Sequence, residues 1–208
     1  MEAFDRIMHR GGTVALEQAA SFFMKNDPVH HALQSITEKL RELEIPYAVV
    51  GGMALVAHGY DRTTTDVDIL LTSTGHRVVK EQLDGLGYVP PFAHSKNLRD
   101  TQTGVRIEFL IAGQYPGDGK PKPVAFPDPA TASVEIGGIR YLKLEKLIEL
   151  KLASGLSAPT RLRDLADVQE LIRHLKLPRE MAEQLDPSVR GKYLEFWEAF
   201  QQNPDEPE

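Results

Sequence analysis

The chain has 208 residues, 41% of them hydrophobic, a formal net charge of −6 and no cysteine. That is apolar material for one core with an appendage rather than two full domains; the missing cysteines exclude disulfides and thiolate metal sites and fit a reducing compartment. The negative charge argues against a general nucleic-acid coat, and with no window near about 18 consecutive apolar residues and no basic-then-apolar N-terminus, a soluble cytoplasmic protein with no membrane partner is expected.

In chain order, Thr13–Met24 sets Leu16, Ala19, Ala20 and Phe23 at helical spacing. A second helix opens at Asp27-Pro28, an N-cap with proline in the first turn. It keeps Leu33, Ile36, Leu40 and Leu43 in period until Pro46. Tyr47 to Val50 reads as a short buried strand. Gly52 to His58 suits a short helix stopped by Gly59. Asp66 to Thr72 is a strand with Val67, Ile69 and Leu71 toward the core, and His76 to Leu86 a helix ended by Gly85 and Gly87. Leu98–Thr101 and Val105–Ile111 form a hairpin around Gln102-Thr103-Gly104.

Gln114 to Ala130 (QYPGDGKPKPVAFPDPA) is a Pro/Gly-rich surface loop, of a length that in compact domains is uncommon and often functional. Ser133–Leu142 reads as a hairpin turning at Gly137-Gly138. Helical patterns follow over Leu144–Ser154, Leu162–His174 and Val189–Phe200, and Asn203–Glu208 reads as a frayed tail. No internal repeat is present. The order predicts an α+β fold, a mixed β-sheet core flanked by helices with a C-terminal helical subdomain. The expected divisions are N-terminal helices (1–44), an α/β core (45–142), the helical subdomain (143–202) and a disordered tail (203–208).

Strand residues two apart share a face, so Asp66 and Asp68 project together. Adjacent carboxylates repel unless something positive stands between them. Two magnesium ions about 3.5–4 Å apart are one solution, and hard oxygen ligands suit magnesium or manganese. Glu108, alternating with Val105, Ile107 and Phe109 in VRIEFLI, is the candidate third acid, on the same side as Arg106. The same acids also suit the wet face of a half-exposed strand. Gly51-Gly52, between a strand and a short helix, allows backbone N–H groups to face a phosphate, or makes a plain tight turn. Arg62 offers a forked contact to a triphosphate, while Thr63, Thr64 and Thr65 offer hydroxyls or simply favour extended chain. A local basic groove is open to Arg62, Arg99, Arg106, Lys151, Arg161 and Arg163 if the fold gathers them. His58 reads as a helix-end residue packed on backbone carbonyls, His30-His31 as surface, and Trp197 with Phe196 and Phe200 as the packing face of the last helix.

The Gly-Gly, the run Arg62-x-Thr64-x-Asp66-x-Asp68 and the strand Glu108 together resemble the polymerase-β-like nucleotidyltransferase superfamily. Within it they look most like the stand-alone bacterial AbiEii-type and MenT-type toxins of toxin–antitoxin systems. A second block, KLIELKLASGLSAPTRLRDLADVQELIRHL from Lys146 to Leu175, resembles the family's helical motif. The resemblance implies that Asp66, Asp68 and Glu108 are catalytic and hold Mg2+ or Mn2+. It implies that Gly51, Gly52, Arg62, Thr65, Lys151 and Asp164 bind the nucleotide, with Arg163 and Asp167 in support.

The implied reaction moves a nucleoside monophosphate from a nucleoside triphosphate to an acceptor hydroxyl on tRNA, protein or a small molecule, with a cognate antitoxin as a further partner. Read from the residues alone, Asp164 and Asp167 equally suit capping at a helix start, and Lys151 a solvated helix lysine. Many superfamily members carry Gly-Ser where this chain has Gly51-Gly52, though the AbiEii-like branch resembles the Gly-Gly form. The Pro/Gly loop and N-terminal helices match nothing placed in the family; acceptor choice is expected to reside there, so the resemblance does not carry the substrate over. An antibiotic-type small-molecule enzyme and a non-catalytic nucleotide- or partner-binding module are the other readings.

Overall fold

The computed structural model describes residues 27–202; the expected helix Thr13–Met24 and the tail Asn203–Glu208 lie outside them. Helix α1 (Pro28–Glu42) starts where expected: the Asp27 carboxylate accepts the Val29 N–H at 2.8 Å, and Pro28 has no N–H to leave unsatisfied. Leu33, Ile36 and Leu40 are its buried stripe. His30 corrects the surface reading. It is buried, because the carboxylate that caps the helix also takes the imidazole Nδ1, so the ring folds back with its polarity satisfied. His31 is exposed.

Strand β1 (Tyr47–Val50) runs directly into α2 (Gly51–Ala57), and β2 (Asp66–Leu71) into α3 (Ser73–Leu83). The α3 helix begins earlier than the apolar pattern predicts, because the Thr72 hydroxyl accepts the Gly75 N–H at 3.0 Å as an N-cap. It ends at Leu83, short of the predicted Leu86, where Asp84 turns extended and Gly85 takes a positive φ. Strand β3 (Tyr88–Val89), only two residues between Gly87 and Pro90, has no periodicity to read. Strands β4 (Leu98–Asp100) and β5 (Arg106–Ile111) are the expected hairpin. The Asp100 carboxylate makes its turn by accepting the Gln102 N–H at 2.9 Å and the Thr103 hydroxyl at 2.8 Å. After a short α4 (Pro129–Ala132) come β6 (Ser133–Ile136), β7 (Ile139–Leu142), α5 (Leu144–Ser157), α6 (Leu162–His174) and α7 (Pro187–Gln202).

The seven strands form one sheet in the order β3-β4-β5-β2-β1-β7-β6. It is mixed: β2–β5 and β1–β7 are parallel and the remaining pairs antiparallel. The β4–β5 hairpin returns the chain so that β5 lies parallel to β2. Register follows from this: Asp66 stands opposite Arg106, and Asp68 stands between Val50 on β1 and Glu108 on β5. One apolar core joins α1, the sheet and the C-terminal helices. Of the aromatic face expected on α7, Phe196 and Trp197 pack against the core, with Trp197 Nε1 donating to Leu177 O at 3.1 Å; Tyr193, outside that expectation, is the fully buried ring, its hydroxyl donating to Pro178 O at 2.9 Å. Among the described residues, no helix is long and apolar enough to cross a membrane.

Phe109 lies at the centre of this core, with no exposed surface and its N–H donating to Asn97 Oδ1 at 3.0 Å. Phe109→Ala should cost about 3–5 kcal/mol of unfolding free energy, read as a shift of the urea midpoint.

Candidate active site

Gly51, Gly52, Arg62, Thr65, Asp66, Asp68, Glu108, Lys151 and Asp164 all line one cleft of about 890 Å³. The acid side follows from the sheet. On β2 the odd residues Val67, Ile69 and Leu71 are buried, as predicted, and Asp66 and Asp68 face the cleft. The same face closes over farther along, for Leu70 is fully buried, so the carboxylates occupy its open end. Glu108 and Leu110 continue this face on β5.

Each acid already has a neighbour. The Thr64 hydroxyl donates to Asp66 Oδ1 at 2.8 Å, and Arg106 Nη2 lies 2.8 Å from Glu108 Oε1. Asp68 has the least compensation. Burial, and then the charges of Asp66 and Glu108, push its carboxyl up from 3.8 to about 7, against a smaller pull from Lys151 and Arg161. Gly51 is what lets the chain pass so close: its φ is +61°, and a Cβ there would fall inside the Asp68 carboxylate.

The opposite wall is a buried charge network on α5 and α6. Lys151 Nζ donates to Asp164 Oδ1 at 3.0 Å and Asp167 Oδ2 at 2.6 Å. Asp164 also accepts from Ser154 at 2.6 Å and from Arg161 Nε at 2.8 Å. Burial works to raise the Asp164 pKa, but Lys151, Ser154 and Arg161 outweigh it and hold the carboxyl below its ordinary value. Arg62 reaches across from the segment before β2 to pair with Asp167. Its Nε is buried with no hydrogen-bond partner among the described residues. Neither Asp164 nor Asp167 caps α6, which has no side-chain cap, and Lys151 is buried rather than solvated.

Arg163, exposed, also lines the cleft, as do Lys96, Ser154 and Arg161. Ser154 lies three residues beyond Lys151 on the same helix, a spacing that sequence could have offered; Lys96 lies in irregular chain with no pattern to mark it. The Pro/Gly loop supplies Gln114, Tyr115, Pro116, Gly117, Gly119 and Phe126 to the wall. Arg99, on the other hand, stands opposite Arg106 on β4 and outside the cleft lining. His58 does not line the cleft; its Nε2 meets Leu142 O at 2.8 Å, the backbone packing expected of it.

The donor set of Asp66, Asp68 and Glu108, hard oxygens under mutual repulsion, fits a divalent cation such as magnesium or manganese. As the side chains stand, no group of three acidic or histidine side chains among the described residues is arranged to hold a metal. The Glu108 carboxylate pairs instead with Arg106, and the pair is partly exposed.

No protein-family model matches the chain, and no curated relative is found by sequence. Solved structures do match. The antibiotic-resistance factor ANT(2″)-Ia, in complex with adenylyl-2″-tobramycin, is 13% identical with a TM-score of 0.50, over 82% of this chain and 97% of that one. A Thermotoga maritima protein described as a candidate nucleotidyltransferase is 18% identical with a TM-score of 0.46, over 66% and 91%. One so described from Helicobacter pylori is 18% identical with a TM-score of 0.44, over 81% and 90%. The likeness to ANT(2″)-Ia is one of fold: the chain has the nucleotidyltransferase-type mixed sheet with a helical C-terminal part.

The Asp68 environment makes a stability prediction. The folded carboxyl keeps its proton to about pH 7 where the unfolded one releases it near 3.8, so folding takes up a proton in that window and stability falls as pH rises through it. In chelator, Asp68→Asn should therefore melt higher than the parent at pH 8, by roughly 2 kcal/mol after allowing for solvent screening of a partly exposed group. The advantage should vanish toward pH 4 in thermal melts.

Proposed function

We propose that the chain is a metal-dependent nucleotidyltransferase that moves a nucleoside monophosphate from a nucleoside triphosphate to an acceptor hydroxyl and releases pyrophosphate. The observation that carries this reading is convergence. Residues from two motifs far apart in sequence, Gly51 to Asp68 and Lys151 to Asp164, line one cleft, with Glu108 in register beside Asp68.

In this reading Asp66 and Asp68 hold magnesium or manganese, with Glu108 as the third ligand; the metal supplies positive charge where the phosphates gather. Gly51 and Gly52 let the backbone approach the phosphates, and Thr65 lines the same space. Arg62 has an unpartnered buried N–H to offer, and Lys151 a charge already oriented by Asp164 and Asp167. A triphosphate competes with those carboxylates for both cations. Glu108, on β5 beside Asp68, is the group that takes the acceptor's proton. The chemistry is mostly positioning and charge neutralisation.

For the acceptor we favour RNA, as the toxin-like motif resemblance implies, with a cognate antitoxin as partner. Lys96, Arg161 and Arg163 at the cleft, and Arg99 beside Arg106 on the neighbouring strands, support a polyanion. The second reading is a small-molecule acceptor, favoured by the fold neighbour that was solved with adenylyl-2″-tobramycin.

Asp66→Asn and Asp68→Asn should each lower labelled-nucleotide transfer by at least about a hundredfold with the fold intact by circular dichroism; full activity in both would sink the assignment. Acceptor binding should weaken steeply between 50 and 200 mM salt, by roughly 0.7–0.9 in log K per log salt for each phosphate contact. A flat salt response would transfer the argument to the small-molecule reading.

A further inference from the structure

The segment from Gly113 to Phe126 is a closed loop fixed at three places. At its neck the Gly113 N–H donates to Phe126 O and the Phe126 N–H to Gln114 O, each at 2.8 Å. Val124 is buried in the core. At its tip Lys122, pairing with Asp118, donates through Nζ to Pro116 O at 2.6 Å and to Ser157 Oγ at 2.9 Å on the last turn of α5. That helix has no basic residue in its own last turn, so Lys122 brings from the loop the cation that its negative end favours. Gly117, at φ +72°, lies against the same turn; a Cβ there would strike Ser157 Oγ and stand 2.7 Å from Ser154 O. Ω-loops packed by their own side chains in this way are frequently functional.

The contact point says what the loop is for. Ser154 is three residues from Lys151, about one helical turn, so the loop forms the cleft wall next to the cation proposed to hold the triphosphate. In the proposed reading the acceptor takes the other side, where Glu108 and Lys96 line the cleft. The loop carries two aromatic rings among its cleft-lining residues, Tyr115 and Phe126, both partly buried. We propose that this loop is the nucleoside-binding wall of the site: Tyr115 stacks on the base of the donor nucleotide, and Lys122 is the positioning residue that pins the wall to α5. The inference rests on the nucleotidyltransferase reading of the cleft.

The test is equilibrium binding of ATP, GTP, CTP and UTP in turn, and of inorganic tripolyphosphate, each with magnesium, to the full chain and to Tyr115→Leu, Lys122→Met and Lys122→Arg. For the triphosphate that the parent binds best, Tyr115→Leu and Lys122→Met should raise Kd about tenfold, a stacking-sized loss. Tripolyphosphate binding should stay within about twofold of the parent, since the phosphate-side groups are untouched. Lys122→Arg should recover most of the loss. Unchanged nucleotide affinity in a folded Tyr115→Leu overturns the proposal, as does an equal loss for tripolyphosphate. A parent chain that binds neither probe overturns the cleft reading and this inference with it; a parent that binds tripolyphosphate but no nucleotide overturns the inference alone.

Discussion

Like charge held close on one sheet face is the constraint around which the cleft is arranged. Parallel pairing of β2 with β5 sets Glu108 directly beside Asp68, and the period of the strand sets Asp66 on the same face. No folding benefit follows from that arrangement. Asp68 keeps a raised pKa of about 7 because of burial and the charges of Asp66 and Glu108. Burial is the larger cause and repulsion the smaller, and a carboxylate so perturbed in a cleft marks a candidate functional site.

The opposite wall answers with the reverse arrangement. Lys151, Arg62 and Arg161 meet Asp164 and Asp167 in a network with few free donors, and Ser154 satisfies an Asp164 oxygen. Buried charge pairs rarely add net stability, because desolvation offsets their attraction, but they fix geometry and are costly to break singly. Here they tie α5 and α6 to the segment leading into β2. Thus the cations facing the acids keep a defined position. The loop pinned by Lys122 extends that wall from Ser154 and Ser157 back to the end of β5.

Much of this was legible in the sequence where a local rule decides the outcome. Alternation placed Val67, Ile69 and Leu71 inward and the two aspartates outward, and Asp27-Pro28 marked the start of α1. Where partners come from elsewhere in the chain, sequence was silent. Asp164 and Asp167 look like capping residues until α5 is laid beside α6 and Lys151 meets both. His30 looks like surface until Asp27 turns back onto its ring. The two-residue β3 exists only through its pairing with β4, and the Pro/Gly loop offered no period from which its docking on α5 could be foreseen.

What the cleft does is most directly decided by following phosphorus. The protein is incubated with magnesium, total cell RNA and each nucleoside triphosphate, labelled in separate reactions at the α- or the γ-phosphate. The account predicts that α-label from one triphosphate becomes covalently attached to an RNA while γ-label leaves as pyrophosphate. Transfer of γ-label to an acceptor, or binding of the triphosphate with no transfer of α-label to RNA, would contradict it.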